Sequence, residues 1–118
     1  MNYGKAVLLS VTCCLSTAAL AGPVDKFDSR EPDADFVSSA NINDIERCFI
    51  RMDGLSSMPS VYSQPDRPNE RMMIWPGANT DAADRADLKV VEGGTHVKTW
   101  KVKSQNAKAF DLCAPALK

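Results

Sequence analysis

The clearest apolar periodicity beyond the first 21 residues lies at 41–54, NINDIERCFIRMDG. Ile42, Ile45, Phe49 and Met52 recur at spacings of three, four and three, which is one face of an α-helix, and Cys48 sits beside them. Asp44, Arg47 and Arg51 fall on the remaining, polar side. Asn41 or Asn43 supplies an N-cap, each with an acid three residues on, and Gly54 is placed to end the helix in the left-handed conformation.

Downstream the period changes from helical to strand-like. Segments 60–64 (SVYSQ) and 70–75 (ERMMIW) read as strands, separated by the turn-rich PDRPN. The polar stretch 78–87 reads as a loop or a weak helical turn. Segments 87–92 and 95–103 flank Gly93-Gly94, a hairpin signal because tight primed turns need positive φ. A Gly-Gly loop sets Val90 against Val97, Leu88 against Thr99, and Val91 against His96. Leu88, Val90, Val97 and Thr99 would then face inward. The same pairing leaves Trp100 and Val102 outward, and a bulge near Lys98 is the expected remedy. Segment 104–113 reads as a second helix, capped by Ser104, with Ala107, Phe110 and Cys113 on one side and Pro115 stopping it. The expectation is a small two-layer α+β domain: an N-terminal helix, a four-stranded antiparallel sheet and a short C-terminal helix, with both helices on one face and joined by one disulfide.

The first 21 residues belong to export rather than to the fold. A short positive start, an apolar run at 6–15 and Ala19-Leu20-Ala21 make a signal peptide, with cleavage expected between Ala21 and Gly22. Cys13 and Cys14 lack the small preceding residue of a lipobox. Residues 22–35, proline-containing and rich in charge, read as a flexible acidic leader, and 36–118 as a single domain. The expected location is the periplasm or the medium, with no membrane attachment after cleavage. Cys48 and Cys113 are then the two mature cysteines, and an oxidising compartment pairs them.

The formal net charge of the 118 residues is −1, but it is unevenly spread. Segment 22–46 has a balance of −5 and segment 88–118 a balance of +4. The sharper reading of this asymmetry is that acids of the leader shield a basic surface meant for an acidic partner. Lys89, His96, Lys98, Trp100, Lys101 and Lys103 form the candidate interaction surface. Nucleic acid is disfavoured by export and by the absence of a recognition motif.

Candidate chemistry is sparse. His96, the single histidine, has no orienting partner or nucleophile near it in sequence and reads as a solvent-facing strand residue. The serines sit in no nucleophile elbow, and no phosphate-binding loop, zinc-protease helix or dinucleotide fingerprint occurs. Asp81, Asp84 and Asp87 recur every three residues without the spacing of a calcium loop. Met58, Met72 and Met73 with His96 are a soft-ligand set of the kind Cu(I) takes. In residue types, though not in spacing, that set with Trp75 is similar to small periplasmic copper-carrying barrels. Core filling is the competing reading, and Met72 and Met73 point to opposite faces of a strand. The sequence therefore favours a non-catalytic interaction, inhibitor or envelope accessory module without a cofactor. A Cu(I) binder is the alternative and a small hydrolase a weaker one.

Overall fold

A computed structural model describes residues 24–55, 58–77, 82–102 and 104–118, the side chains of Ser104 and Gln105 excepted. The signal peptide expected over 1–21 and its expected cleavage site lie outside the described residues. After a 3-10 turn (Asp25–Phe27) the elements are β1 (Ala34–Ser38), α1 (Ile42–Arg51), β2 (Ser60–Gln64), β3 (Arg67–Pro76), β4 (Ala82–Val91), β5 (Gly94–Trp100) and α2 (Ser104–Cys113). All strands join one antiparallel sheet in the order β1-β5-β4-β3-β2.

Two expectations are corrected here. The sheet has five strands, not four, and a strand rather than a helix opens the α/β order. β1 lies in acid-rich sequence whose local preference for strand is weak. It is held by a full register on β5, from Ala34↔Thr99 to Ser38↔Thr95. Its other edge meets the C-terminal residues, where Pro115 O accepts from Ser39 N–H and from Ser38 Oγ–H, and Val37 O accepts from Leu117 N–H at 2.8 Å. The second correction concerns 82–87, read as loop and found as the first half of the central strand β4. Its alanines are poor strand formers in isolation. Between two paired neighbours they have another use, because the small Ala86, fully buried, lets the helices approach the sheet.

α1 begins as its sequence dictates. The Asn41 side chain accepts from Asn43 N–H at 2.8 Å, and Asp44 sits in the first turn. Met52 is already extended, so the helix stops there, and Gly54 takes its positive φ of 84° in the turn that follows. Ile42, Ile45 and Phe49 are buried. On α2 the buried set is Asn106, Ala109, Phe110 and Cys113, while Ala107, expected inward, is exposed. Both helices cover the same face, over Met73, Trp75, Ala86, Leu88 and Val97. The ring of Phe49 lies 4.7 Å from that of Phe110 and 6.0 Å from that of Trp75, so three aromatics weld α1, α2 and β3. Cys48 and Cys113 are disulfide-bonded immediately beside this cluster.

The β4–β5 hairpin turns at Glu92-Gly93, with Val91 opposite Gly94. Leu88 consequently pairs with Val97, and Lys89 with His96, two residues away from the expected register. A shift of two preserves the faces, so Leu88, Val97 and Thr99 still point toward the helices. Val90 shares that parity but lies at the sheet's end, 41% exposed. No bulge occurs at Lys98, and Trp100 stays on the outer face. The two glycines answer different demands. Gly93 has φ of 82°, whereas Gly94 lies so close to β1 that a Cβ would overlap the Ser38 carbonyl oxygen.

Two outcomes follow. Cys48→Ala, Cys113→Ala and the double variant should each lose about 2–4 kcal/mol in denaturant melts, the double no more than a single, because one bond closing a 65-residue separation is lost in every case. Gly93→Ala should cost about 1 kcal/mol through backbone strain. Gly94→Ala should cost more and should loosen β1, read as faster amide exchange at Ser39, whose N–H donates to Pro115 O. Equal costs with unchanged exchange would contradict the Gly94–Ser38 approach.

Candidate functional site

Strand alternation decides what the helix-free face of the sheet displays. Along the register, one row runs Asp35, Lys98, Asp87, Met72, Tyr62 from edge to edge. The next row holds Val37, His96, Lys89 and Glu70. On the opposite side of the first lies Trp100, Arg85, Ile74 and Ser60. A groove of about 980 Å³ opens over these rows, with Tyr62, Met72 and Ile74 among its apolar lining.

One end of the face is roofed by the segment preceding β1. Residues 24–35 were expected as a flexible leader, yet they pack on the sheet. Phe27 is fully buried against Trp100 and Ala82, with Val24 and Ile74 beside it. Trp100 Nε1–H donates to Arg30 O at 3.0 Å, and Asp33 N–H to Thr99 O at 2.8 Å. Lys101 N–H donates to the Asp33 carboxylate at 2.5 Å, just where Lys101 takes a positive φ of 54° and turns the chain out of β5. This strap explains why an outward Trp100 needs no bulge: the chain's own Phe27 covers it.

Arg85 is the electrostatic centre of the roofed end. Its side chain is 8% exposed and lies 5.0 Å from the Trp100 ring. It donates through Nε and Nη2 to the two oxygens of Asp87, at 2.8 and 2.7 Å, and through Nη1 to Asp28 at 2.6 Å. The Asp87 hydrogen bonds first, and then those to Asp28, outweigh the burial that opposes them and raise the guanidinium pKa above its already high ordinary value. A raised base contributes its stability below its unfolded pKa and loses it only as pH climbs through the folded one. The Arg85 link is therefore in force across the neutral range.

The exposed charges are distributed differently. Glu70 serves both Arg67 and Lys89, at 3.7 Å each. Asp35 serves His96 at 2.5 Å and Lys98 at 3.9 Å. The buried Arg85 thus has two carboxylates, whereas Glu70 is divided between Arg67 and Lys89, and Asp35 between His96 and Lys98.

Of the residues proposed from sequence, Lys89, His96 and Lys98 do share this face, and Trp100 shares it beneath the strap. Lys101 has left the strand, and Lys103 lies outside the described residues. His96 has the orienting carboxylate that sequence reasoning missed, Asp35, which comes from the unforeseen β1. The soft-metal set does not converge. Met73 is fully buried on the helix side, Met72 lies on the outer face a row away from His96 and two strands over, and Met58 precedes β2, 53% exposed. Asp84 is buried on the helix side and Asp87 faces outward, while Asp81 lies outside the described residues. Among the described residues no group of three His, Cys, Asp or Glu side chains is placed to hold a metal ion, and no helix is long and apolar enough to cross a membrane.

Fold and site together define a disulfide-tied α+β domain with one helix-covered sheet face and one open, ion-paired face. The chain matches no family model, no curated protein and no solved structure.

The strap should respond unequally to substitution. Phe27→Ala should cost about 3 kcal/mol or more, as buried aromatic truncations do, and should speed tryptic cleavage at Lys26 and Arg30. Arg85→Met should cost about 2 kcal/mol, chiefly by removing the two charge-assisted hydrogen bonds to the partly buried Asp87. Asp28→Ala should cost at most about 1 kcal/mol, since the Asp28 side chain is 62% exposed. A larger loss for Asp28→Ala than for Arg85→Met in thermal melts would refute this ranking.

Proposed function

We propose that this is a small exported, non-catalytic interaction domain that docks a secreted or envelope protein on the open face of its sheet. The observation that carries the reading is the groove itself, where the apolar side chains of Tyr62, Met72 and Ile74 lie among exposed cations on a face the helices leave uncovered. An apolar centre with a polar rim is the composition of a docking surface. The Cys48–Cys113 bond supports the exported location, since structural disulfides persist in oxidising compartments. A binding role is favoured over a catalytic one by the surroundings of His96. Asp35, Val37, Lys89 and Lys98 flank it, and none carries a hydroxyl or thiol. The separation of Met58, Met72, Met73 and His96 gives the Cu(I) alternative no comparable support.

Site-specific photo-crosslinking tests this reading. A photoreactive residue at Tyr62, on the open face, should yield an adduct with a defined exported protein. The same residue at Arg47, exposed on α1, should not. Adducts from both positions alike, or from Arg47 alone, would place the docking surface elsewhere.

A further inference from the structure

The imbalance of charge on the open face, read with the way the strap sits on it, specifies the chemistry of a ligand. We infer that the groove binds an extended segment of an exported protein in which an aromatic side chain is flanked by carboxylates. The inference rests on the docking reading above and adds to it the identity of what is recognised.

Charge complementarity is the first argument. The groove is lined by Arg67, Arg71, Arg85, Lys89 and Lys98 against two carboxylates, Glu70 and Asp87, a formal excess of three positive charges before His96 is counted. Arg85 is already saturated by Asp28 and Asp87, and Arg71 has Glu46 at 3.3 Å. Once these partners are assigned, Arg67, Lys89 and Lys98 stand against Glu70 and Asp35, a net of +1 on the exposed part of the face, and none of the three has an anion to itself. Arg67 and Lys89 are each 63% exposed, so an incoming carboxylate meets them at little desolvation cost.

The second argument is the strap. Over a few residues it shows how this face holds chain: an aromatic ring (Phe27) inserted between rows and, directly after it, an acid (Asp28) on a sheet cation. The uncovered part of the groove offers the same pair of features one step away. Tyr62 and Met72 provide the apolar seat, bounded by Ile74 at the strap's edge, and Lys89 and Arg67 line the same groove. A polyanionic nucleic acid fits less well, because Glu70 and Asp87 interrupt the cations and, among the described residues, Tyr62 is the single exposed aromatic of the face.

The test is fluorescence anisotropy with the full mature chain, disulfide intact, and the labelled peptide SDDFDDS. The expected result is saturable one-to-one binding that weakens as salt rises. Binding should weaken about tenfold or more when Ser replaces the peptide's Phe, when Asn replaces its Asp residues, and in the Lys89→Glu and Tyr62→Ala variants. Both substituted side chains are exposed, and unchanged melting temperatures will show that the variants fold. Equal binding of the Ser or Asn peptides, indifference to both variants, or tighter binding of a single-stranded oligonucleotide would each overturn the inference. So would sedimentation showing that a second copy of the chain occupies the face. If the crosslink at Tyr62 forms with an exported protein while SDDFDDS fails to bind, the docking reading survives and the acidic-aromatic specificity falls. If the crosslink fails and the peptide still binds in the Lys89→Glu variant, both fall.

Discussion

The pairing of β1 with β5 governs the architecture. It sends two consecutive strands, β1 and β2, to opposite edges of one sheet. The connection between them must cross the full width, about 19 Å for five strands at about 4.8 Å spacing. α1, ten residues long, covers about 15 Å of that span. A helix forced across a sheet has to lie on one face, and the buried row of Met73, Ala86, Leu88 and Val97 selects which. α2 follows to the same face, because Phe110 completes the aromatic cluster and Cys113 is bonded to Cys48. Both helices being spent on one side, the other side is left to side chains of the sheet itself.

On that second side the protein uses charge and a short strap where many two-layer domains would leave a solvated surface. The strap covers only the Trp100 end, and it does so with one fully buried ring and hydrogen bonds to backbone rather than with a helix. The ion pairs grade from saturated to shared across the face. Arg85, deep under the strap, holds two carboxylates, while Lys89 and Lys98, toward the open rows, divide theirs with neighbours. The gradient matters more than the count of pairs. Exposed pairs contribute little to stability, so their arrangement bears on what approaches the surface.

How much of this was legible in the sequence depended on whether the signal was local. The helix from Ile42, the cap at Asn41 (one of two candidates) and the Ile42, Ile45 and Phe49 stripe are local and appear as read, whereas Met52, read as the last member of the stripe, is already extended beyond the helix end. The Cys48–Cys113 pairing needed only the cysteine count and compartment, and it too is present. β1 and the first half of β4 were not legible, because ADFVS and AADRAD carry charges and alanines that name no element by themselves. Their strand state is imposed by partners 60 or so positions away in β1 and by paired neighbours on both sides in β4. Trp100 illustrates the same limit. Parity placed it outward correctly, and the objection that a tryptophan should not face solvent was sound physics. The covering ring came from a segment whose composition suggested no structure. For the site, the shared face of Lys89, His96 and Lys98 followed from alternation alone, whereas Asp35 could not be assigned to His96 until β1 was known.

The seam along the outer edge of β1 has a consequence for the order of events when the chain is made. Val37, Ser38 and Ser39 take their edge partners from residues 115–117, and Cys48 takes its sulfur partner from position 113. Synthesis delivers the early residues first. β1 and Cys48 are thus produced long before anything they bind, and neither β5 nor the closing residues exist while α1 and the meander are emerging. The contacts that finish the fold are among the most distant in sequence, a topology that folds slowly. For the interval of synthesis of 49–113, Cys48 is a thiol without its intended mate and β1 is an unpaired strand edge. The nascent chain accordingly carries its greatest exposure to stray strand pairing until its final turn of helix arrives, and Cys48 is open to mispairing in an oxidising compartment until Cys113 joins it there.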